Sequence, residues 1–577
     1  MKLKKRVLSA LMCVCLVICL FTGTAMADTT PTGSITVQDQ SGTNATVAGK
    51  TLNLFKIFDA TTDGENISYD WIEKDGVKLY YTFFFGENGV TGKTSGTIHD
   101  VVDYINGIKD DSFAFSQMAA KLHEYIHDEN IGYTQSAVVP KSETSCTFSA
   151  LALGYYLIYD ATEIPDDSPA VRSAAMLAHP GENKVISLKA DRPHIVKYVD
   201  DSGIAYDEEN TDKADWKLGT TASIGDVVTF KIVTAIPNHD LYGDSYLFEI
   251  TDEMSNNLEL IEESFNVIVT EPATVDEEIE AEKVLDYSII TNSANLADDV
   301  DFKITLKNIT ELQQDTVVEI IYQAKVLNTA EFKNLNTAIL TYSNDPHSVD
   351  NPETPDVDER STGSVEASVN VLLWQFTLTK YMEDANGTPS FIRLGEAEFE
   401  VYSIDNLDEP LTFTVDTEEK GYAKYIYDPE GETRTLKTIN TGDGTTDIGY
   451  TDGGSLGQIL IFGLGEGTYV IRETKAPDGY QIAKGDFEFT VTDTIGPAGA
   501  ISNATITEAT RTETPGQFTR VMIQEAAQKY YIGITNAPGS ALPETGGMGT
   551  TLFMVLGVVI MAGAVSILLV RRRSRAV

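Results

Sequence analysis

Two lysines set in apolar, strand-like segments offer the strongest prospect of chemistry in this chain. Lys197 lies in His194-Ile195-Val196-Lys197-Tyr198-Val199, and Lys380 in Phe376-Thr377-Leu378-Thr379-Lys380-Tyr381. An amine enclosed by apolar neighbours loses hydration, so its pKa falls and a neutral nucleophile becomes available. A carboxyl in the same surroundings has its pKa raised and keeps its proton. Such a proton, bonded to an asparagine carbonyl, makes that carbon more electrophilic. The amine then attacks, ammonia leaves, and an amide joins the two side chains in a single turnover. Carboxyls and asparagines occur in comparable segments: Asp252 in Tyr246-Leu247-Phe248-Glu249-Ile250-Thr251-Asp252, Glu473 in Tyr469-Val470-Ile471-Arg472-Glu473, Asn336 and Asn344 at the two ends of one extended run, and Asn536 closing Tyr530-Tyr531-Ile532-Gly533-Ile534-Thr535-Asn536. No H-E-x-x-H, G-x-S-x-G or phosphate loop is present, and the 7 histidines are thinly spread. A turnover enzyme is therefore not expected, nor is a cofactor or a metal site; acidic stretches such as Asp356 to Glu359 lack calcium-loop spacing.

The chain around these residues has 577 positions, enough for three or four domains. Its formal charge of −45 argues against nucleic acid as a partner, because phosphates would be repelled. The acidic surplus reads as a solvated surface. Abundant Gly, Tyr and Phe with few helical periodicities favour β structure. Of the 4 cysteines, Cys13, Cys15 and Cys19 lie in the first twenty residues. Cys146 stands apart in a strand-like stretch, where a buried, inert thiol is expected.

The two ends indicate the compartment. Lys2, Lys4, Lys5 and Arg6, the apolar run Val7 to Phe21 and the site Ala25-Met26-Ala27 form a secretory signal over residues 1–27, with cleavage expected before Asp28. Only Cys146 then remains, so no internal disulfide can form. At the other end, residues 551–570 are uncharged and long enough to cross a bilayer as a helix. Arg571, Arg572, Arg573 and Arg575 follow and hold that end inside the cell.

Three β-rich regions fill the interior. Residues 28–188 open on alternating strands, and then Val101, Tyr104 and Ile105 with Phe115, Met118, Ala119, Leu122, Tyr125 and Ile126 recur at helical spacing as an insert. Residues 189–372 carry strands spaced as in a sandwich, with an acidic, Pro-containing loop near the end. Residues 373–540 follow without a low-complexity linker. Val369 to Lys380 reads as one extended stretch, so that joint is expected to be stiff.

Several motifs carry a family resemblance. Leu542-Pro543-Glu544-Thr545-Gly546, followed by an apolar span and a basic tail over 541–577, resembles the sorting signal of Gram-positive surface proteins. Tyr469-Val470-Ile471-Arg472-Glu473-Thr474-Lys475-Ala476-Pro477-Asp478-Gly479-Tyr480 resembles the E-box of Gram-positive pilins, within a domain like the collagen-adhesin B-type repeat. Residues Ile195-Val196-Lys197 and Phe248 to Ser255 resemble the middle domain of backbone pilins. The resemblance to sortase-assembled pilins implies tandem immunoglobulin-like β-sandwiches. It also implies that a sortase cuts between Thr545 and Gly546 and passes the Thr545 carboxyl to another pilin or to peptidoglycan. The product would be secreted, wall-anchored, and held by the membrane only before cutting.

The resemblance further implies Lys–Asn bonds promoted by an acid. In the third region it assigns Lys380 as nucleophile, Glu473 as acid and Asn536 as electrophile. In the middle region it assigns Lys197 and Asp252, with Asn336 as electrophile or Asn344 as the alternative. Eight residues separate the two asparagines, so both could face one side of a strand. Lys56 in the first region has apolar neighbours but no matching acid and asparagine. A bond between end strands would carry tension without unzipping a sheet, and reduction would not break it. The chain departs from the family where the V-Y-P-K-N motif is expected: Leu177-Ala178-His179-Pro180-Gly181-Glu182-Asn183 lacks the lysine that accepts the next subunit. Lys184 and Lys189 lie nearby and are the candidate acceptors. A monomeric wall-anchored adhesin for a host matrix or glycan is the alternative.

Overall fold

A computed structural model describes residues 32–574, apart from 203–212, 273–286, 348–360, 441–455, 510–521, 540–547 and several shorter segments. The signal segment and the pentapeptide Leu542 to Gly546 lie outside the described residues. Contacts divide the chain into two units: one runs to Arg192 and adds Pro237–Leu247 and Ser343–Gly363, while the other holds Pro193–Ile236, Phe248–Tyr342 and the chain from Ser364. Two segments of the expected middle region thus group with the first unit.

In the first unit, strand Thr51–Thr62 pairs antiparallel with Ile67–Trp71 and Gly154–Asp160. A second sheet places Thr32–Gln38 between Ser145–Ala152 and Lys184–Ser187. The helical insert forms as Ile98–Ile108 and Ser112–Asp128. Each start is capped: the Thr97 N–H donates to Asp100 Oδ2 at 2.7 Å, and the Ala114 N–H donates to Asp111 Oδ1 at 2.9 Å. The inward helical positions Val101, Met118, Ala119, Leu122 and Ile126 pack with Phe55, Phe58, Trp71 and Phe84. Cys146 corrects the expectation of burial. It is partly exposed, although it shares the inward face of Ser145–Ala152 with Phe148, two residues on, and pairs with the buried Val37 near the start of that strand.

The second unit begins with two facing six-stranded sheets. One holds Ile195–Asp200, Val227–Ala235 and Val317–Val326; the other holds Phe248–Met254, Lys333–Ser343 and Thr362–Leu372. Ile195, Lys197 and Val199 all point inward from their strand. The apolar filling includes Phe230, Ile232, Ile250, Phe302, Ile304 and Leu340. After these sheets, Trp374–Glu383 lies between Gln458–Leu464, antiparallel, and Lys529–Asn536, parallel. A five-stranded sheet containing Glu398–Ser403 and Gly467–Lys475 faces it across Phe376, Phe399, Ile461, Ile471 and Ile534. The chain is mainly β, as its composition predicts. It ends in helix Met548–Arg573, whose stretch Leu552–Arg573 contains an 18-residue run of mean hydropathy 2.8 and is long and apolar enough to cross a membrane.

The joint between these two sandwiches is nearly continuous. Only Leu373 separates Thr362–Leu372 from Trp374–Glu383, and its N–H donates to Phe332 O at 3.0 Å. A second strap forms where the Ile224 N–H donates to Gly463 O at 3.0 Å and the Gly465 N–H donates to Ser223 Oγ at 2.8 Å. A Cβ at Gly465 would stand 2.8 Å from the carbonyl carbon of Ala222 and 2.9 Å from the nitrogen of Ser223, both backbone atoms that cannot swing aside. Gly465→Ala should therefore destabilise the second unit by on the order of 1–3 kcal/mol. Denaturant unfolding of the variant beside the parent checks this; an unchanged midpoint would refute the tight fit.

Candidate functional site: two buried lysine–carboxyl–asparagine sets

In the middle sandwich, the pairing register decides which side chains meet. Met254 pairs with Asn336, and Asp252 lies two residues from Met254, so Asp252 and Asn336 face the same interior. Lys197 enters from the opposite sheet. All three are buried: Lys197 is 1 % exposed, and Asp252 and Asn336 are 0 % exposed. Lys197 Nζ donates short hydrogen bonds to both Asp252 Oδ2 and Asn336 Oδ1. Burial pushes the lysine pKa down to about 8 and pushes the Asp252 carboxyl up. Both shifts favour a neutral amine beside a protonated acid. About a tenth of such an amine is neutral at pH 7, against roughly one in three thousand for an unperturbed lysine. Two further groups here have no cue in the sequence. Tyr322 donates its hydroxyl to Asp252 Oδ1 at 2.9 Å and accepts from Asn336 Nδ2 at 3.0 Å. Burial pushes the Asp301 carboxyl up to about 6, and its N–H donates to the Asp252 carbonyl at 2.9 Å.

Asn344 lies elsewhere. It falls just past the end of strand Lys333–Ser343 and accepts from Ser361 Oγ at 2.7 Å within the first unit. The eight-residue spacing keeps two side chains on one face only while the strand continues.

In the third domain, the first and last strands are parallel neighbours. Lys380 pairs with Ile534 and Met382 with Asn536, which sets Lys380 and Asn536 side by side on the inner face. Glu473 reaches them from the facing sheet. Lys380 Nζ donates a short hydrogen bond to Asn536 Oδ1 and lies 3.0 Å from Glu473 Oε1. The same Oε1 accepts from Asn536 Nδ2 at 3.0 Å, while Oε2 accepts from the Ala483 N–H at 2.5 Å. Burial brings the Lys380 pKa down to about 8. The Phe399 ring centre lies 5.7 Å from the amine and helps keep water away. In both sets, then, an amine with a depressed pKa touches the side-chain carbonyl of an asparagine, with a carboxyl in contact with the amine. That is the arrangement needed for amide formation with loss of ammonia.

The first unit holds a different buried lysine. Lys56 bonds Asp59 toward the surface. Lys50, which follows Gly49 without an apolar run to mark it, donates to Asp160 Oδ2 at 2.6 Å and to Val171 O at 2.7 Å. Burial pushes the Asp160 carboxyl up, but Lys50, Thr162 and the Ser173 N–H outweigh burial and hold it below the usual range. This pair is an ionised salt bridge with no asparagine. Asp160→Ala would strand the buried ammonium and should destabilise the first unit by roughly 3–5 kcal/mol, readable in its thermal unfolding. Lys184 and Lys189 are both exposed. Lys189 Nζ sits 5.9 Å from the Phe115 ring centre, beside a cavity lined by Gln40, Met176 and Ile186.

Comparison with known proteins adds two matched families. Residues 384–504 match the SpaA family, a prealbumin-like fold domain, and residues 535–575 match the LPXTG cell wall anchor motif. The apolar helix described above lies within the second match. The chain is a wall-anchored surface protein. No curated protein sequence matches the wall-anchored chain. Among solved structures, it is similar to the T6 backbone pilin of Streptococcus pyogenes (16 % identity, 89 % of this chain and 100 % of that one, TM-score 0.46). It is also similar to the major pilin SpaD of Corynebacterium diphtheriae (15 %, 89 % and 98 %, 0.39) and to RrgB of Streptococcus pneumoniae (14 %, 88 % and 100 %, 0.34).

An unreacted lysine leaves a pH signature. With a folded pKa near 8 and an unfolded value of 10.5, the unfolded chain binds more protons between those limits, so stability rises with pH across that window. Asn536→Ala, which leaves Lys380 without an electrophile, should show that rise. If the amide has formed in the parent, its amine is consumed and the parent should lack the Lys380 contribution; identical profiles in chemical denaturation would contradict bond formation.

Proposed function

We propose that this protein is a structural subunit of a cell-wall-anchored pilus, cut by a sortase between Thr545 and Gly546 and stiffened by two self-formed bonds, Lys197–Asn336 and Lys380–Asn536. The observation that carries the reading is the pair of buried amine–carboxyl–carboxamide sets, each in its own sandwich, in a chain that also carries a wall-anchor motif. The 380–536 bond joins the first strand of its domain to the last. The 197–336 bond crosses the two facing sheets. Tension along the chain then meets covalent bonds before it can peel strands. Asp252 and Glu473 serve as the promoting acids. The Thr545 carboxyl passes to a second subunit or to peptidoglycan, and Lys184 or Lys189, both exposed, supplies the accepting amine of the next subunit.

Intact mass of the full chain tests the internal bonds. Each releases one ammonia of about 17 Da, so two bonds remove about 34 Da. Asn336→Ala and Asn536→Ala should each abolish one deficit, after allowing for the substitution. A parent at its full sequence mass would reject the reading. Polymerisation is tested separately, in cells that supply the sortase. A detergent-resistant ladder should form and should collapse with Lys184→Ala or Lys189→Ala. A single wall-linked band in the parent would instead favour a monomeric adhesin.

A further inference from the structure

The two sets differ in one respect with a chemical consequence. In the third domain, Glu473 Oε1 touches both nitrogens that exchange protons: it lies 3.0 Å from Lys380 Nζ and 3.0 Å from Asn536 Nδ2. In the middle domain, the acid is an aspartate, shorter by one methylene. Asp252 bonds the amine, but the Asn336 Nδ2 hydrogen bond goes to the Tyr322 hydroxyl, which bonds Asp252 Oδ1 in turn. We propose that Tyr322 is a catalytic residue of the middle-domain bond, a proton relay that connects Asp252 to the departing Asn336 nitrogen. This rests on the reading that the bond forms at all.

The proton balance shows why a relay is needed. Lys197 attacks as a neutral amine with two hydrogens and ends as an amide N–H, so it releases one proton, which Asp252 Oδ2, in contact with Nζ, receives. The proton that the Asp252 carboxyl already holds, on Oδ1, must reach Asn336 Nδ2, which leaves as ammonia only after gaining a hydrogen. When Nζ attacks Asn336 Cγ, the C–N bond to Nδ2 loses its amide conjugation, and Nδ2 becomes a basic amine. Tyr322 then gives its hydroxyl hydrogen to Nδ2 and takes a replacement from Asp252 Oδ1. The Cγ–Nδ2 bond breaks, ammonia departs, and the hydroxyl is restored.

The ring is well placed for this role. Tyr322 is 0 % exposed, and Phe230, Phe265 and Phe302 pack around it with ring centres 5.5, 5.7 and 4.8 Å away. Its centre lies 5.5 Å from Lys197 Nζ. Burial holds the phenol well above its ordinary pKa, so it remains protonated and passes a hydrogen on instead of acting as a standing base. Glu473 performs both contacts directly, so the third domain serves as an internal control in the same molecule.

The test is cell-free synthesis of the full chain, followed by a chase in which cross-linked peptides spanning Lys197–Asn336 and Lys380–Asn536 are quantified by mass. Tyr322→Phe, which removes the hydroxyl and keeps the ring, should slow the first cross-link at least tenfold and leave the second unchanged. Adding Asp252→Glu to that variant should restore part of the rate, because the longer acid reaches Nδ2 itself; a purely structural role of the hydroxyl would give no such rescue. A measurement on the parent stands independently of variant folding. In mixed H2O and D2O, the first bond should show a curved proton inventory with more than one hydrogen in flight. The relay is overturned if Tyr322→Phe forms both bonds at the parent rate, or if both bonds in the parent show the same inventory. Absence of both cross-links in the parent would instead remove the underlying reading.

Discussion

The cost of placing an ammonium group in an apolar interior organises this protein. A buried lysine must find an anion, lose its proton or react. The chain uses more than one of these outcomes. Lys50 pairs with an ionised Asp160 and gains a carbonyl, so its charge is satisfied and it stays a salt bridge. Lys197 and Lys380 lie against a carboxyl and a carboxamide, and burial lowers both pKa values. What separates the two fates is the group opposite the amine. An asparagine carbonyl is an electrophile with a leaving group, while a stabilised carboxylate is not.

Geometry supplies the rest. In both reactive sets, the lysine and its acid come from opposite sheets, so only a closed sandwich brings them together. The proposed amide formation would thereby be tied to completed folding. The same closure excludes water, which keeps the amine desolvated and strengthens each contact. Cys146 is the one cysteine among the described residues, which therefore hold no internal disulfide; an amide between side chains does not depend on redox conditions.

Much of this was legible in the sequence, and the exceptions have physical causes. Lys197 was visible because period-two alternation placed it inward with Ile195 and Val199. Glu473 was visible through its motif, and Asn536 through its place closing an apolar strand. The mainly β fold with a helical insert followed from composition and the spacing of Val101 to Ile126. Lys50 was not legible, because the residues before it form a turn with Gly49 at φ 79° and give no apolar run. The choice between Asn336 and Asn344 required knowing where the strand ends. Tyr322 is one of 26 tyrosines, and its relation to Asp252 depends on how two sheets face one another, which no local pattern records.

A bond between Lys380 and Asn536 would also change the connectivity of the molecule. These residues are 156 positions apart in sequence, and a bond between their side chains turns the intervening chain into a closed ring. A single cut by a protease anywhere inside that ring opens it without releasing a fragment, because the flanking segments stay joined through the cross-link. The filament would lose its continuity only after a second cut or a break outside the ring. A surface fibre built this way tolerates nicks in its exposed loops while remaining one covalent thread.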